Sequence, residues 1–149
     1  MRILVDADGC PVKEEVYKVA RRYDVEVVLV ANTGHFVPKG GKVVSHVVGQ
    51  GLDAADDWIV ENAKGDDVVV TADVPLAARC ARAVAAVLRP DGRRFGEEDV
   101  GSALAMRDLM AQLREAGERT RGPAPFNERD RSAFLQSLDA AIQKARRSR

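Results

Sequence analysis

Arg2-Ile3-Leu4-Val5-Asp6-Ala7-Asp8-Gly9-Cys10-Pro11 is the stretch on which the fold turns. Ile3, Leu4 and Val5 are apolar without interruption, and a short unbroken run of this kind belongs to a strand buried on both faces. The run stops at two acids one residue apart. Behind Pro11, which suits a first helical position, Val12, Val16, Val19, Ala20 and Tyr23 recur at helical spacing. A buried strand leading straight into a helix is how an α/β domain with a parallel sheet begins.

The alternation continues outward from this start. Val25–Val30 reads as a second strand, and residues 32–42, with Gly34, Pro38, Gly40 and Gly41, read as a loop. Val43–Val48 reads as a third strand, and the loop before it suits a hairpin or a short parallel crossover, so its direction is open. Asp53–Ala63 is a helix ended near Gly65, and Val68–Thr71 is a fourth strand. Pro75 opens a helix to about Arg82, and Ala83–Leu88 is a fifth strand closed by Pro90-Asp91-Gly92. Two more helices are expected, over about Asp99–Ala116 and Arg131–Ala145, joined by a loop through Gly122, Pro123 and Pro125. The expectation is one α/β domain over residues 1–149, with a mostly parallel five-stranded sheet covered by helices on both faces. The C-terminal helices, at about 99–146, pack on the same domain, and residues 146–149 form a basic tail.

Composition excludes several other classes. A chain of 149 residues buries roughly two-thirds of its unfolded surface, enough for a core without staples. Cys10 and Cys80 stand far apart with no CxxC spacing, which supports neither a disulfide framework nor a zinc site. No apolar run nears the ~18 residues of a membrane span. The start of the chain reaches Asp6 without an apolar signal segment, so a cytoplasmic protein with no membrane partner is expected. The net charge of zero is uneven: residues 1–106 hold 13 Lys/Arg against 17 Asp/Glu, and residues 107–149 hold 10 against 6. A basic C-terminal third beside an acidic site suits a polyanion, although a solvated helix surface explains it equally.

The chemistry is carried by acids. In a sheet of this kind ligands sit outside the carboxyl ends of the strands, near the point where strand order reverses. Asp6 and Asp8 leave the first strand there, and Asp73 leaves the fourth. In the helix between them, Leu52, Ala55, Ile59 and Ala63 form an apolar stripe, and Asp56 falls on the same side. A carboxylate on a buried stripe is costly unless it is paired or metal-bound. Asp53 and Asp57 lie nearer the rim, where capping or solvent exposure explains them, and Asp73 is also placed to cap the helix at Pro75. Carboxylates converging from separate segments repel one another, and a divalent cation removes that conflict. Oxygen-only donors select Mg²⁺ or Mn²⁺ over zinc. Asn32, Thr71 and Lys13 are further candidates to line the site. His35 and His46 show no ligand spacing, and Phe36 and Trp58 read as core or rim.

Longer blocks point the same way. Asp6-Ala7-Asp8-Gly9-Cys10-Pro11-Val12-Lys13, Gly51-Leu52-Asp53-Ala54-Ala55-Asp56-Asp57-Trp58-Ile59 and Val69-Val70-Thr71-Ala72-Asp73-Val74-Pro75-Leu76-Ala77 resemble the YaiI/YqxD family of uncharacterised bacterial proteins. Arg107-Asp108-Leu109-Met110, Gly122-Pro123-Ala124-Pro125-Phe126 and Asp130-Arg131 extend the resemblance over nearly the whole chain. Gly9 departs from it, standing where Ala is expected. The resemblance implies a PIN-like nuclease fold, a three-layer sandwich. In that fold Asp6, Asp56 or Asp57, and Asp73 occupy the positions that bind Mg²⁺ or Mn²⁺.

The leading expectation is therefore a metal-dependent phosphodiesterase acting on RNA. Asp6 and Asp73 would be ligands, and Asp8 and Asp56 further ligands or water-orienting groups. Lys13, Arg107, Arg114 and Arg131 would hold backbone phosphates. A non-catalytic nucleic-acid or metal-binding module is the alternative. An aspartyl-phosphate phosphatase, with Asp6 as nucleophile, ranks below both because Asp73 stands alone after its strand where such enzymes carry an acidic pair.

Overall fold

In the structure, a computed structural model that describes residues 1–49, 51, 53–96 and 126–147, the apolar run Ile3-Leu4-Val5 is wholly excluded from water at the centre of β1 (Arg2–Asp6). The chain continues through α1 (Lys13–Tyr23), β2 (Glu26–Ala31), β3 (Val43–Val47), α2 (Ala54–Asn62), β4 (Val68–Val70), α3 (Val74–Cys80), β5 (Ala86–Leu88), β6 (Arg94–Phe95) and α4 (Glu128–Arg147). The expected helix over 99–116, with Arg107 and Arg114, lies outside the described residues.

The six strands form one sheet in the order β3-β2-β1-β4-β5-β6. All pairings are parallel except β5 with β6. The third strand, whose direction the sequence left open, runs parallel to β2, with Val27 opposite Val43 and Ala31 opposite Val47. Two-residue periodicity assigns the core. Ile3, Val5, Val27, Leu29, Val68 and Val70 pack with α1 and α4, whereas the intervening Leu4, Val28, Val30 and Val69 pack with α2 and α3. Successive strand residues face opposite ways, so these clusters are the two faces of the sheet, each with its pair of helices.

Several boundaries differ from expectation for local reasons. The sheet has six strands rather than five, because Arg94–Phe95 returns along β5 after a turn at Gly92, and two residues are too few to show a period. Strand β5 begins at Ala86 rather than Ala83, because Ala83 N–H bonds back to Cys80 O in a turn. Helix α1 starts at Lys13, beyond Pro11. Helix α4 starts at Glu128, earlier than Arg131, because Asn127 and Asp130 bond reciprocally: Asn127 Oδ1 accepts from Asp130 N (3.0 Å) and Asp130 Oδ2 from Asn127 N (3.1 Å). That is a capping box with Asp in place of Glu, inside a segment that reads as loop.

Candidate functional site

The strand order reverses at β1, which has β2 and β3 on one side and β4 and β5 on the other. A crevice therefore opens beyond the carboxyl ends of β1 and β4. Asp6 is the last residue of β1, and Thr71 follows β4 directly. Because β3 is parallel too, α2 starts from this same edge and brings Asp53, Asp56 and Asp57 to it.

Thr71 organises the centre. It is 2% exposed, its Oγ donates to Asp6 Oδ2 at 2.9 Å, and the same oxygen accepts the Asp73 N–H at 3.0 Å. Asp73 Oδ1 in turn accepts Leu76 N–H at 3.1 Å and so caps α3. Burial raises the Asp6 carboxyl above its ordinary range; the Thr71 bond opposes this, while the charges of Asp73 and Asp8 add to it. Asp56 is pushed up to about 6, first by burial and then by the charges of Asp73, Asp6 and Asp53, against a smaller opposing pull from Arg79. Asp6, Asp56 and Asp73, from three separate segments, thus stand in one another's fields.

The other acids are differently engaged. Asp57 is exposed and pairs with Arg79 at 3.0 Å. Asp53 occupies the N-cap position of α2, but its side chain makes no capping bond. Asp8 is fixed at both oxygens: Oδ2 accepts the backbone N–H of Asn32 at 2.9 Å, and Oδ1 meets His35 Nε2 at 2.9 Å. The Asn32 bond foremost, then His35, holds the Asp8 carboxyl below its usual range, and Lys13 contributes in the same direction. Asn32 therefore acts through its main chain, and Lys13 stands at the start of α1 with its charge felt at Asp8.

Arg131 ties α4 to α1. Its Nη1 donates to Pro11 O (2.8 Å) and Glu15 Oε1 (3.1 Å), and its guanidinium lies 4.9 Å from the Phe126 ring centroid. Cys10 has its thiol pushed up chiefly by burial, as suits a packing residue. Two contributors escaped the sequence reading. His35 reaches Asp8 across 27 positions, and Arg79 reaches Asp57 across 22, and neither spacing follows a helical or strand period. Among the described residues, no group of three or more His, Cys, Asp or Glu side chains is arranged to hold one ion, and no helix is long and apolar enough to cross a membrane.

The profile of the uncharacterised YaiI/YqxD family matches residues 4–144. The chain belongs to this family. Similar relatives include a UPF0178 protein of Rhodopseudomonas palustris, 53% identical over 148 residues that cover 99% of this chain and 94% of the relative. One of Nitrobacter winogradskyi is 51% identical over 99% of this chain and 94% of the relative. One of Bradyrhizobium is 49% identical over 99% of this chain and 90% of the relative. No solved structure matches. The three long blocks that resemble the YaiI/YqxD family supply the end of β1, the start of α2 and the β4–α3 connection, and these are the segments that carry Asp6, Asp56 and Asp73.

Proposed function

We propose that the chain is a divalent-metal-dependent phosphodiesterase acting on RNA, with Asp6, Asp56 and Asp73 as the ligands of Mg²⁺ or Mn²⁺. The observation that carries this reading is the meeting of three carboxylates at one sheet edge: Asp6 at the end of β1, Asp73 tied to it through the Thr71 hydroxyl, and Asp56 in the first turn of α2, close enough for their charges to act on one another. A molecule that brings like charges to one half-buried edge carries an electrostatic penalty that a hard cation removes. The donor chemistry, oxygen only, fits Mg²⁺ or Mn²⁺.

When bound, the ion would supply charge neutralisation at phosphorus and activation of water. The chain's own residues do the rest. Thr71 keeps Asp6 oriented through the 2.9 Å bond and ties Asp73 to it through the Asp73 N–H. Asp8 holds the loop after β2 against the same edge. Lys13, whose charge is felt at Asp8, would meet a backbone phosphate there.

The alternative is a non-catalytic nucleic-acid or metal-binding module that keeps the acidic edge without turnover. Cleavage of single-stranded and structured RNA with Mn²⁺ separates the two. The enzyme reading expects cleavage that Asp6→Asn and Asp73→Asn abolish, and the module expects Mn²⁺-dependent stabilisation and RNA binding without cleavage. Cleavage unchanged in Asp6→Asn would overturn the ligand assignment.

A further inference from the structure

The row of the sheet that ends in Asp6 continues past Thr71. Leu4, Val69 and Val87 stand side by side on β1, β4 and β5, and Val5, Val70 and Leu88 follow them. The next row is therefore Asp6, Thr71 and Arg89, and the Thr71 N–H, donating to Leu88 O at 3.0 Å, carries the ladder to that point. Arg89 is paired in turn with Arg93. Its N–H donates to Arg93 O at 2.9 Å and its carbonyl accepts Gly92 N–H at 2.9 Å, which closes a loop of Pro90, Asp91 and Gly92 with Gly92 at φ +89°. Successive strand residues face opposite ways. Leu4, Val69, Val87 and Phe95 all pack on the α2 and α3 side, so Asp6, Thr71, Arg89 and Arg93, each two positions along, face that side as well. The row thus reads acid, hydroxyl, guanidinium, guanidinium, and at ~4.8 Å per strand the Arg89 backbone stands roughly 10 Å from that of Asp6. Like charges directly opposite each other weaken a hairpin, and here little offsets them. The partly buried Arg89 side chain makes no hydrogen bond or ion pair among the described residues. Arg93 is 77% exposed and meets Asp91 at 3.6 Å, a surface contact of small worth. Arg79, whose charge is felt at Asp56, is by contrast paired with Asp57.

We infer that Arg89 and Arg93 together hold the phosphate that neighbours the scissile one, so that the substrate is a strand of RNA lying across the edge from β1 toward β6. This inference rests on the phosphodiesterase reading for what happens at Asp6, and it adds where the rest of the strand lies. An ion among the acids serves only the phosphate that reacts. The next phosphate of the chain still meets an acidic edge and needs a cation of its own. Guanidinium groups suit this task because their paired N–H groups match phosphate oxygens. The phosphate they hold does not react, so the pair contributes to binding and leaves the chemical step alone.

The test uses Arg89→Gln, Arg93→Gln and the double variant with Mn²⁺ on two substrates. One is a single-stranded oligoribonucleotide. The other is a diribonucleoside monophosphate, which has a scissile phosphate but no neighbouring one. The expected result is a KM about 10-fold higher on the oligoribonucleotide, with kcat and all rates on the small substrate within about 3-fold of wild type. The dependence of log KM on log salt should flatten by about 0.7 in the double variant, the share of one phosphate of a single strand, which a merely structural pair would not change. Arg89→Lys keeps the charge and should keep the slope. Equal losses on both substrates, or an unchanged KM on the oligoribonucleotide, overturn the inference and leave the nuclease reading standing. If the wild type cleaves neither substrate, the phosphodiesterase reading falls, and fluorescence anisotropy with the labelled oligoribonucleotide decides the arginine pair by itself. Weaker binding in the double variant then upholds the phosphate site, and equal binding removes it.

Discussion

The Thr71 hydroxyl donates to Asp6 Oδ2 across 2.9 Å from a position 2% exposed to water, so the half-buried acid at the end of β1 depends on a side chain from β4's end. Thr71→Val keeps the shape and removes the hydroxyl. Asp6 then loses the one contribution that pulls its carboxyl down, and the Asp73 N–H loses its acceptor. Stability should fall by about 1–3 kcal/mol, the usual cost of leaving a buried polar group unpaired. The Asp6 carboxyl should climb further. Urea unfolding and carboxyl NMR titration check the two, and an unmoved Asp6 titration would show that the bond is not made in solution.

Asp56 gives a pH dependence with a definite sign. Its folded carboxyl, at about 6, lies above the ordinary 3.8. Between those two values the folded chain keeps a proton that the unfolded chain has lost, so this group lowers stability as pH rises from about 4 to about 6. Asp56→Asn removes the penalty. The variant should match the wild type near pH 4 and exceed it above pH 6 by about 1 kcal/mol, because solvent screening reduces what the full shift would give. Melting curves at pH 4 and 7.5 decide it. Saturating Mn²⁺ should reverse the order at pH 7.5 if Asp56 is a ligand.

The sequence made the α/β class and the acidic edge legible, because both rest on local patterns. The unbroken run Ile3-Leu4-Val5, closed by acids and followed by helical spacing, reads as a strand buried on both faces, and Asp6, Asp56 and Asp73 lie at or in elements whose patterns are clear. Parallel β1 and β4 then bring Asp6 and Asp73 to one edge, whereas the arrival of Asp56 there waits on the direction of β3. What escaped was geometry decided across long separations. The direction of β3 depends on how residues 32–42 cross, and a loop rich in Gly and Pro does not encode that. Strand β6 exists only as the partner of β5. The roles of His35 and Arg79 are contacts across 27 and 22 positions that no period announces. The capping box at Asn127 and Asp130 was readable in principle, but it uses Asp where the usual signature has Glu or Gln.

Gly92 is where the hairpin into β6 meets α4. Its φ of +89° is one that L side chains rarely adopt, and a Cβ built there would lie 2.7 Å from Ala133 C and O and 2.9 Å from Phe134 N. All three are backbone atoms and cannot step aside. Gly92 O also accepts the Ser137 hydroxyl at 2.6 Å. Gly92→Ala should therefore cost about 2–4 kcal/mol through strain and a displaced helix. Gly34→Ala, in an open place with negative φ, should change stability by less than about 1 kcal/mol. Parallel urea melts of the two variants compare them, and equal effects would mean that α4 does not pack against the hairpin.

Arg131 is a candidate to grip phosphate, and its contacts also tie α4 to the start of α1. Its guanidinium donates to Glu15 Oε1 and to Pro11 O. The Glu15 side chain is 13% exposed, and its other oxygen, Oε2, is buried with no partner among the described residues. Removing Arg131 leaves that partly buried carboxylate without the guanidinium that faces it. Arg131→Leu should cost about 1–3 kcal/mol, at the low end of what breaking a buried pair costs because Arg131 itself is 36% exposed. Adding Glu15→Leu should recover part of the loss, since two apolar side chains of similar bulk leave nothing unpaired. On the phosphodiesterase reading, RNA cleavage per folded molecule at 25 °C should stay within about 3-fold of wild type in both variants, far from the loss expected of a group that takes part in the chemical step. A double-mutant cycle in urea with parallel cleavage rates measures both quantities. If Arg131→Leu lost cleavage at unchanged stability, Arg131 would belong to the substrate after all, and the Glu15 contact would be incidental.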